Sequence, residues 1–321
     1  MRPSFLLVAA AVFSCGSIAA TAQTSVSPSQ VKQVVAFGDS LTDTGNAYIA
    51  TFGAVPGPRY AVGEFTNPQV PPGPSGLWID QFAAKLGVSS SPVLAGGTNF
   101  AVGGALTGSA SLQDMQNQVN LFLATTFGSA PSNSLYTFWG GADDILGSQN
   151  PVTAANNIAS EIAQVAGAGG KNFLWFNLPD LGAAPELNTN PAESTLANLA
   201  SQEFDATWAA DLATLEASGI NVIGVNIENE FNAILADPTA YGFTNVTTAC
   251  DITLGCDPNS ALFWDDIHPT TYADSLIATL AYDDLTGASP TPEPSSWVLV
   301  GSALLACTFL SHRRLRASQR A

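Results

Sequence analysis

Val34-Val35-Ala36-Phe37-Gly38-Asp39-Ser40-Leu41-Thr42-Asp43-Thr44-Gly45-Asn46 is the stretch on which the reading of the chain turns. Its apolar start predicts a strand that stops at Gly38, followed by a small polar turn and a helix. A serine at such a junction has an exposed hydroxyl. The first free backbone N–H groups of the turn lie beside it, and such donors hold a developing oxyanion. Taken alone, the same residues also read as a capped turn in which Asp39 and Ser40 are local acceptors. The features that decide between the two lie far downstream.

Both ends of the 321-residue chain read as addresses rather than as fold. Arg2, the apolar run Phe5 to Phe13 and the small residues ending at Ala20-Thr21-Ala22 form a secretory signal peptide, residues 1–22. Lipid modification of Cys15 is the alternative, poorly served by Phe13. At the other end Pro290-Thr291-Pro292-Glu293-Pro294 breaks the preceding structure, and a nearly uncharged run from Trp297 to Leu310 follows. His312, Arg313, Arg314, Arg316 and Arg320 close the chain, a basic stop of the cytoplasmic kind. Residues 290–321 therefore read as a membrane-anchoring or sorting tail, and residues 23–289 as one domain.

That domain carries four basic residues (Lys32, Arg59, Lys85, Lys171) against 25 acidic ones, a formal net charge of −21. Such a surface disfavours nucleic acid and anionic membrane faces, and it suits a soluble exported monomer. Cys250 and Cys256 are its two cysteines, in a loop rich in Thr, Asp and Gly. In an exported protein an even pair reads as a disulfide. A metal site is the weaker reading, because one histidine and no further cysteine are left to complete a shell.

Along the chain, strands at Val34–Gly38, Ser134–Trp139, Asn172–Phe176 and Ile220–Ile227 alternate with helical patterns at Leu77–Leu86, Leu112–Phe127, Ala154–Ala166, Ser194–Ser218 and Thr271–Leu285. A short helix is expected at Phe231–Leu235, and Ser194 is the expected cap of the long one. Alternation of this kind predicts an α/β fold, a parallel sheet covered on both faces. Ligands then sit at the carboxyl ends of the strands, where the turns at Ser40, Gly103 and Asp143 fall. Pro56 to Gly76, dense in Pro and Gly, is a long surface loop. With Tyr60, Phe65 and Trp78 it reads equally as a substrate-facing wall or a plain connection.

His268 is the one histidine of the domain, so Ser–His catalysis would need it as the base. Asp265, three residues earlier and just before the break at Pro269, is placed to reach the imidazole and fix its tautomer.

The chain resembles the GDSL (SGNH) hydrolase family. Phe37 to Asn46 matches its first block, Asn99 to Ala105 resembles the second, Gly140 to Asp144 the third, and Asp265 to Pro269 matches the last. Leu178 to Pro185 resembles a further family stretch, and the blocks occur in family order. The resemblance implies a flavodoxin-like α/β/α sandwich and a secreted esterase or lipase that needs no metal or cofactor. It implies a triad of Ser40, His268 and Asp265. Oxyanion donors would come from Ser40, from Gly103 or its neighbour Gly104, and from position 143. Asp39, Asp43 and Asn46 would support the Ser40 turn. The substrate would be a small-molecule, lipid or polysaccharide ester.

One departure stands out. The family's third block has an asparagine where this chain has Asp143, and an ionised carboxylate accepts hydrogen bonds but cannot donate them. Asp143 is then protonated, turned away, or inhibitory. The alternatives to hydrolysis are a catalytically weakened matrix or carbohydrate-binding protein on the same fold, and an acyltransferase. The tail resembles the PEP-CTERM sorting signal, which implies processing by an exosortase at the membrane and a periplasmic, cell-surface or extracellular location.

Overall fold

The computed structural model describes residues 24–288. The signal-peptide and sorting-tail readings lie outside the described residues. Among the described residues no helix is long and apolar enough to cross a membrane.

Four strands, β1 (Gln33–Gly38), β2 (Ser134–Trp139), β3 (Asn172–Phe176) and β4 (Asn221–Val225), form a parallel sheet in that order. Ala36 lies on Thr137, Thr137 on Leu174, and Leu174 on Ile223. Nearly every strand residue is buried, as expected of a parallel sheet covered on both faces. A rudimentary fifth strand runs along the outer edge of β1. There Ala36 N–H donates to Thr98 O (3.2 Å), Phe100 N–H to Ala36 O (2.8 Å) and Val102 N–H to Gly38 O (3.2 Å). Counting this edge, the strand order is the 2-1-3-4-5 of flavodoxin-like sheets.

The helices are α1 (Asn46–Ala50), α2 (Trp78–Leu86), α3 (Met115–Thr125), α4 (Ala142–Leu146), α5 (Pro151–Gly167), α6 (Pro185–Asn188), α7 (Pro191–Ala217), α8 (Ile227–Ala236) and α9 (Thr271–Thr286). α2 packs on α9, which reaches β4. On the opposite face α3, α5 and α7 pack side by side, with α3 against β1 and α7 against β4. The result is an α/β/α sandwich. Its core is strongly aromatic: Phe37, Phe138 and Phe173 line up across one face of the sheet, and Trp139 and Phe176 pack with Trp78 of α2 on the other.

Four helix starts depart from the sequence reading by three or four residues: α3 begins at Met115, α5 at Pro151, α7 at Pro191 and α8 at Ile227. α7 begins ahead of Ser194. Its cap is Asn190, whose side chain accepts from Ala192 N–H at 3.1 Å, and Pro191 occupies the first turn, where no N–H is needed. Ser194 lies inside the helix and donates its hydroxyl to Gly182 O at 2.8 Å. α8 extends across Ile227–Ala236 because Asn226 caps it through Asn229 N–H at 2.9 Å, an acceptor five residues before the expected start.

The end of β1 is fixed by three features. A Cβ on Gly38 would collide with the Trp139 carbonyl oxygen, so glycine is required there. The buried amide of Gln118 on α3 accepts from Gly38 N–H at 3.0 Å and donates to Gly38 O at 2.7 Å. Asp39 O then accepts from Thr42 N–H (3.1 Å) and Asp43 N–H (3.0 Å), which folds the next residues into a tight turn. Gln118→Leu strands the Gly38 N–H and is expected to cost about 1–3 kcal/mol. Urea denaturation followed by circular dichroism checks this, and an unchanged midpoint would contradict it.

Candidate active site

Ser40 sits at the crest of that turn and is 8% exposed. Asp43, fully buried below it, accepts four backbone N–H groups: Gly45 (2.9 Å) and Asn46 (2.6 Å) on Oδ1, Ala47 (3.0 Å) and Gly103 (2.9 Å) on Oδ2. Asn46 donates to Asn99 O (2.8 Å) and Ala101 O (2.9 Å), and accepts from Leu94 N–H (3.1 Å). The serine turn is thereby stapled to the edge segment, the supporting role expected of Asp43 and Asn46. Asp39 Oδ1 accepts from Leu41 N–H at 3.0 Å, while its buried Oδ2 has no hydrogen-bond partner among the described residues.

His268 precedes α9 on a loop whose backbone is tied by Trp264 N–H donating to His268 O at 2.7 Å. Its Nε2 is 2.8 Å from Ser40 Oγ, and its Nδ1 is 2.7 Å from Asp265 Oδ2. A carboxylate only accepts, so Nδ1 carries the proton and Nε2 is left to accept from the serine hydroxyl. Asp265 Oδ1 accepts Ile267 N–H (2.9 Å) and His268 N–H (2.6 Å). Burial pushes the Asp265 carboxyl up, but the hydrogen bond and charge of His268, with donation from Tyr60, overcome this. The group stays well below the usual carboxylate range.

The three expected residues thus converge from the two ends of the domain. The glycine expected to help them is engaged elsewhere. Gly103 N–H is held by Asp43, and a Cβ at Gly103 would strike the Phe65 ring. Gly104, turned to a φ of +76°, makes no backbone donation among the described residues, and neither does Ser40.

Tyr60, Phe65 and Trp78 do not line the cleft. Trp78 is fully buried and donates to Thr42 Oγ1 at 3.3 Å. Phe65 packs on the His268 ring with centroids 5.3 Å apart, and Tyr60 O–H donates to Asp265 Oδ2 at 2.7 Å. Tyr60 and Phe65 thus pack against Asp265 and His268, and Trp78 belongs to the core.

In front of Ser40 and His268 opens a narrow cleft with a cavity volume of about 60 Å3, open to solvent at its mouth. Its walls are apolar, with Leu146, Leu178, Leu181, Phe231, Leu235 and Ile267 among them. Asp143, in the first turn of α4, lines the same cleft. Burial, reinforced by Asp144 and opposed by His268, pushes the Asp143 carboxyl up to about 6. Burial and the nearby Asp143 raise Asp39 well above its ordinary value. Asp144 does different work, accepting from Thr107 N–H and Oγ1, both at 2.9 Å.

Cys250 and Cys256 are joined by a disulfide. Among the described residues no group of three or more His, Cys, Asp or Glu side chains is arranged to hold a metal ion.

The fold and this relay define a serine–histidine–aspartate protein of the α/β/α class. The model of the GDSL-like lipase/acylhydrolase family matches residues 34–281, and the chain belongs to that family. It is 27% identical over 277 residues to the thermolabile hemolysin of Vibrio parahaemolyticus, a match covering 78% of this chain and 63% of that protein. It is 28% identical over 245 residues to the phosphatidylcholine-sterol acyltransferase of Aeromonas hydrophila, covering 73% and 70%. It is also 28% identical over 316 residues to the esterase EstA of Pseudomonas aeruginosa, covering 81% and 47%. The chain thus spans between about half and 70% of the length of these relatives.

The position of Asp143 gives a test with a defined sign. Below a pH of about 6 the carboxyl is protonated and neutral, and above it the charge would oppose any oxyanion formed beside Ser40. Asp143→Asn is neutral throughout. The ratio of mutant to wild-type kcat/KM on a p-nitrophenyl ester is therefore expected to rise from near one at pH 5 to about tenfold at pH 8. A flat ratio across that range would show that Asp143 does not face the reacting oxygen.

Proposed function

We propose that this protein is a carboxylic ester hydrolase that forms an acyl-enzyme on Ser40. The observation that carries the reading is the continuous Ser40–His268–Asp265 relay opening on an apolar cleft. Ser40 Oγ attacks the ester carbonyl carbon as its proton passes to His268 Nε2. Asp265 holds Nδ1–H and stabilises the imidazolium. The negative charge forms beside the Ser40 N–H. The C–O bond to the alcohol then breaks, and the leaving oxygen takes the proton from Nε2. Water repeats the sequence on the acyl-enzyme, giving the carboxylic acid and the free serine.

The cleft also argues for the kind of ester. Leucine, isoleucine and phenylalanine side chains beside the nucleophile favour an aliphatic acyl chain over a bare acetyl group on a sugar. One relative is named for acyl transfer to a sterol, and transfer to an alcohol other than water would use these same residues. Export through residues 1–22 and sorting through residues 290–321 complete the proposal, and the disulfide agrees with an oxidising compartment.

A chain-length series tests both parts. Turnover of p-nitrophenyl esters should vanish in Ser40→Ala. In the wild type, kcat/KM should rise from acetate to octanoate by tenfold or more, since each buried methylene contributes about 0.8 kcal/mol. A preference for acetate would contradict the acyl-chain assignment. Full activity in Ser40→Ala would contradict the mechanism.

A further inference from the structure

The Pro- and Gly-rich segment 56–76 is docked on the stretch from the disulfide loop through the histidine loop to the start of α9. Arg59 pairs with Asp251. Thr66 Oγ1 donates to Pro269 O at 3.0 Å, Asn67 Oδ1 accepts from Thr271 N–H at 2.8 Å, and Asn67 Nδ2 donates to Thr271 Oγ1 at 3.1 Å. Asn259 Nδ2 donates to Val70 O at 3.1 Å. Each of these contacts flanks the relay without touching it. Tyr60 is different. Its hydroxyl donates to Asp265 Oδ2, the oxygen that also takes His268 Nδ1–H. Its ring packs edge-on to His268 (6.4 Å) and to Phe65 (6.3 Å), which itself covers the imidazole.

We propose that Tyr60 is a positioning residue of the relay, making it a four-membered Ser40–His268–Asp265–Tyr60 chain. The inference rests on the reading of Ser40 as nucleophile. Two donors on Oδ2 and two on Oδ1 fix both the plane and the rotation of the Asp265 carboxylate, and hence the imidazole that faces Ser40. The phenol also spreads the carboxylate charge, so less of it is directed at the imidazole ring. Burial first, then donation to Asp265, holds the Tyr60 phenol above its ordinary range, so it remains a donor at any working pH.

The expected sign follows. Without the hydroxyl, more negative charge rests on the oxygen facing Nδ1, and the protonated imidazole is favoured. The acid limb of the activity profile then moves to higher pH. Other charges around the pair are Arg59 and Asp251 on the loop side, Asp266 next along the chain and Asp143 across His268. Tyr60→Phe alters none of them and keeps the ring contacts.

The test is the rate at which a fluorophosphonate labels the purified protein, measured from pH 5 to 9, since this needs no knowledge of the substrate. Wild type, Tyr60→Phe, Thr66→Val and Ser40→Ala are compared. Tyr60→Phe is expected to label about tenfold more slowly at neutral pH, with its acid limb displaced upward by roughly half a pH unit. Thr66→Val loosens the same segment without touching Asp265 and should leave the limb in place. An unmoved limb in Tyr60→Phe, whatever the rate, overturns the proposal. So does an equal displacement in Thr66→Val, which would assign the effect to loop docking. A wild type that does not label, or a Ser40→Ala that labels as fast, refutes the Ser40 reading itself, and the Tyr60 inference falls with it.

Discussion

Four donors converge on one buried carboxylate. Asp265 is charged at 8% exposure, a condition that is costly unless its oxygens are matched by hydrogen bonds. Its own loop supplies two backbone N–H groups, the base supplies the third donor, and a tyrosine from a distant loop supplies the fourth. Each donor is itself constrained, the imidazole by Phe65 and the tyrosine by the docked segment around it. Rotation of His268 toward Ser40 is therefore set by the carboxylate, and the carboxylate by everything packed behind it.

Ser40, the proposed nucleophile, is held by a second set of hydrogen bonds. Asp43 gathers four N–H groups from the turn and the edge segment, and Asn46 adds three more bonds between the same two pieces of chain. Asp43 thus ties the serine side together through backbone partners, although burial outweighs their donation and pushes its carboxyl above the ordinary range. Around this rigid centre the carboxyls of Asp39 and Asp143 are far less well matched. Asp39 Oδ2 has no hydrogen-bond partner among the described residues, and burial drives both groups toward the neutral form. The site combines one strongly stabilised charge at the back with two disfavoured charges near the cleft. Such an arrangement keeps the cleft beside Ser40 less negative than a count of carboxylates suggests.

The local parts of this design were legible in the sequence. β1 and its turn carried their own punctuation. His268 stood out because the domain offers no other imidazole, and Asp265 lies within three residues of it. The alternation of strands and helices was sufficient for the sheet, because apolar runs of parallel strands need no partner information to be recognised. The non-local parts were not legible. Tyr60 and Asp265 are 205 residues apart, and a hydroxyl in an aperiodic Pro-rich loop carries no mark of the carboxylate it will meet. The same holds for Gly103, whose N–H is engaged by Asp43 sixty residues away, and for a cleft wall assembled from α4, the segment after β3, α8 and the histidine loop. Asn190 displaced Ser194 as a cap because both residue types suit that role and only the fold selects between them.

The most direct test of the account is to catch the intermediate. The protein is mixed with p-nitrophenyl octanoate, quenched in acid within milliseconds and mapped by peptide mass spectrometry. The account predicts a peptide spanning Ser40 that carries the mass of one octanoyl group, formed in a burst with p-nitrophenol release. Release of p-nitrophenol with no acyl group on Ser40, or with the acyl group on another residue, would contradict it.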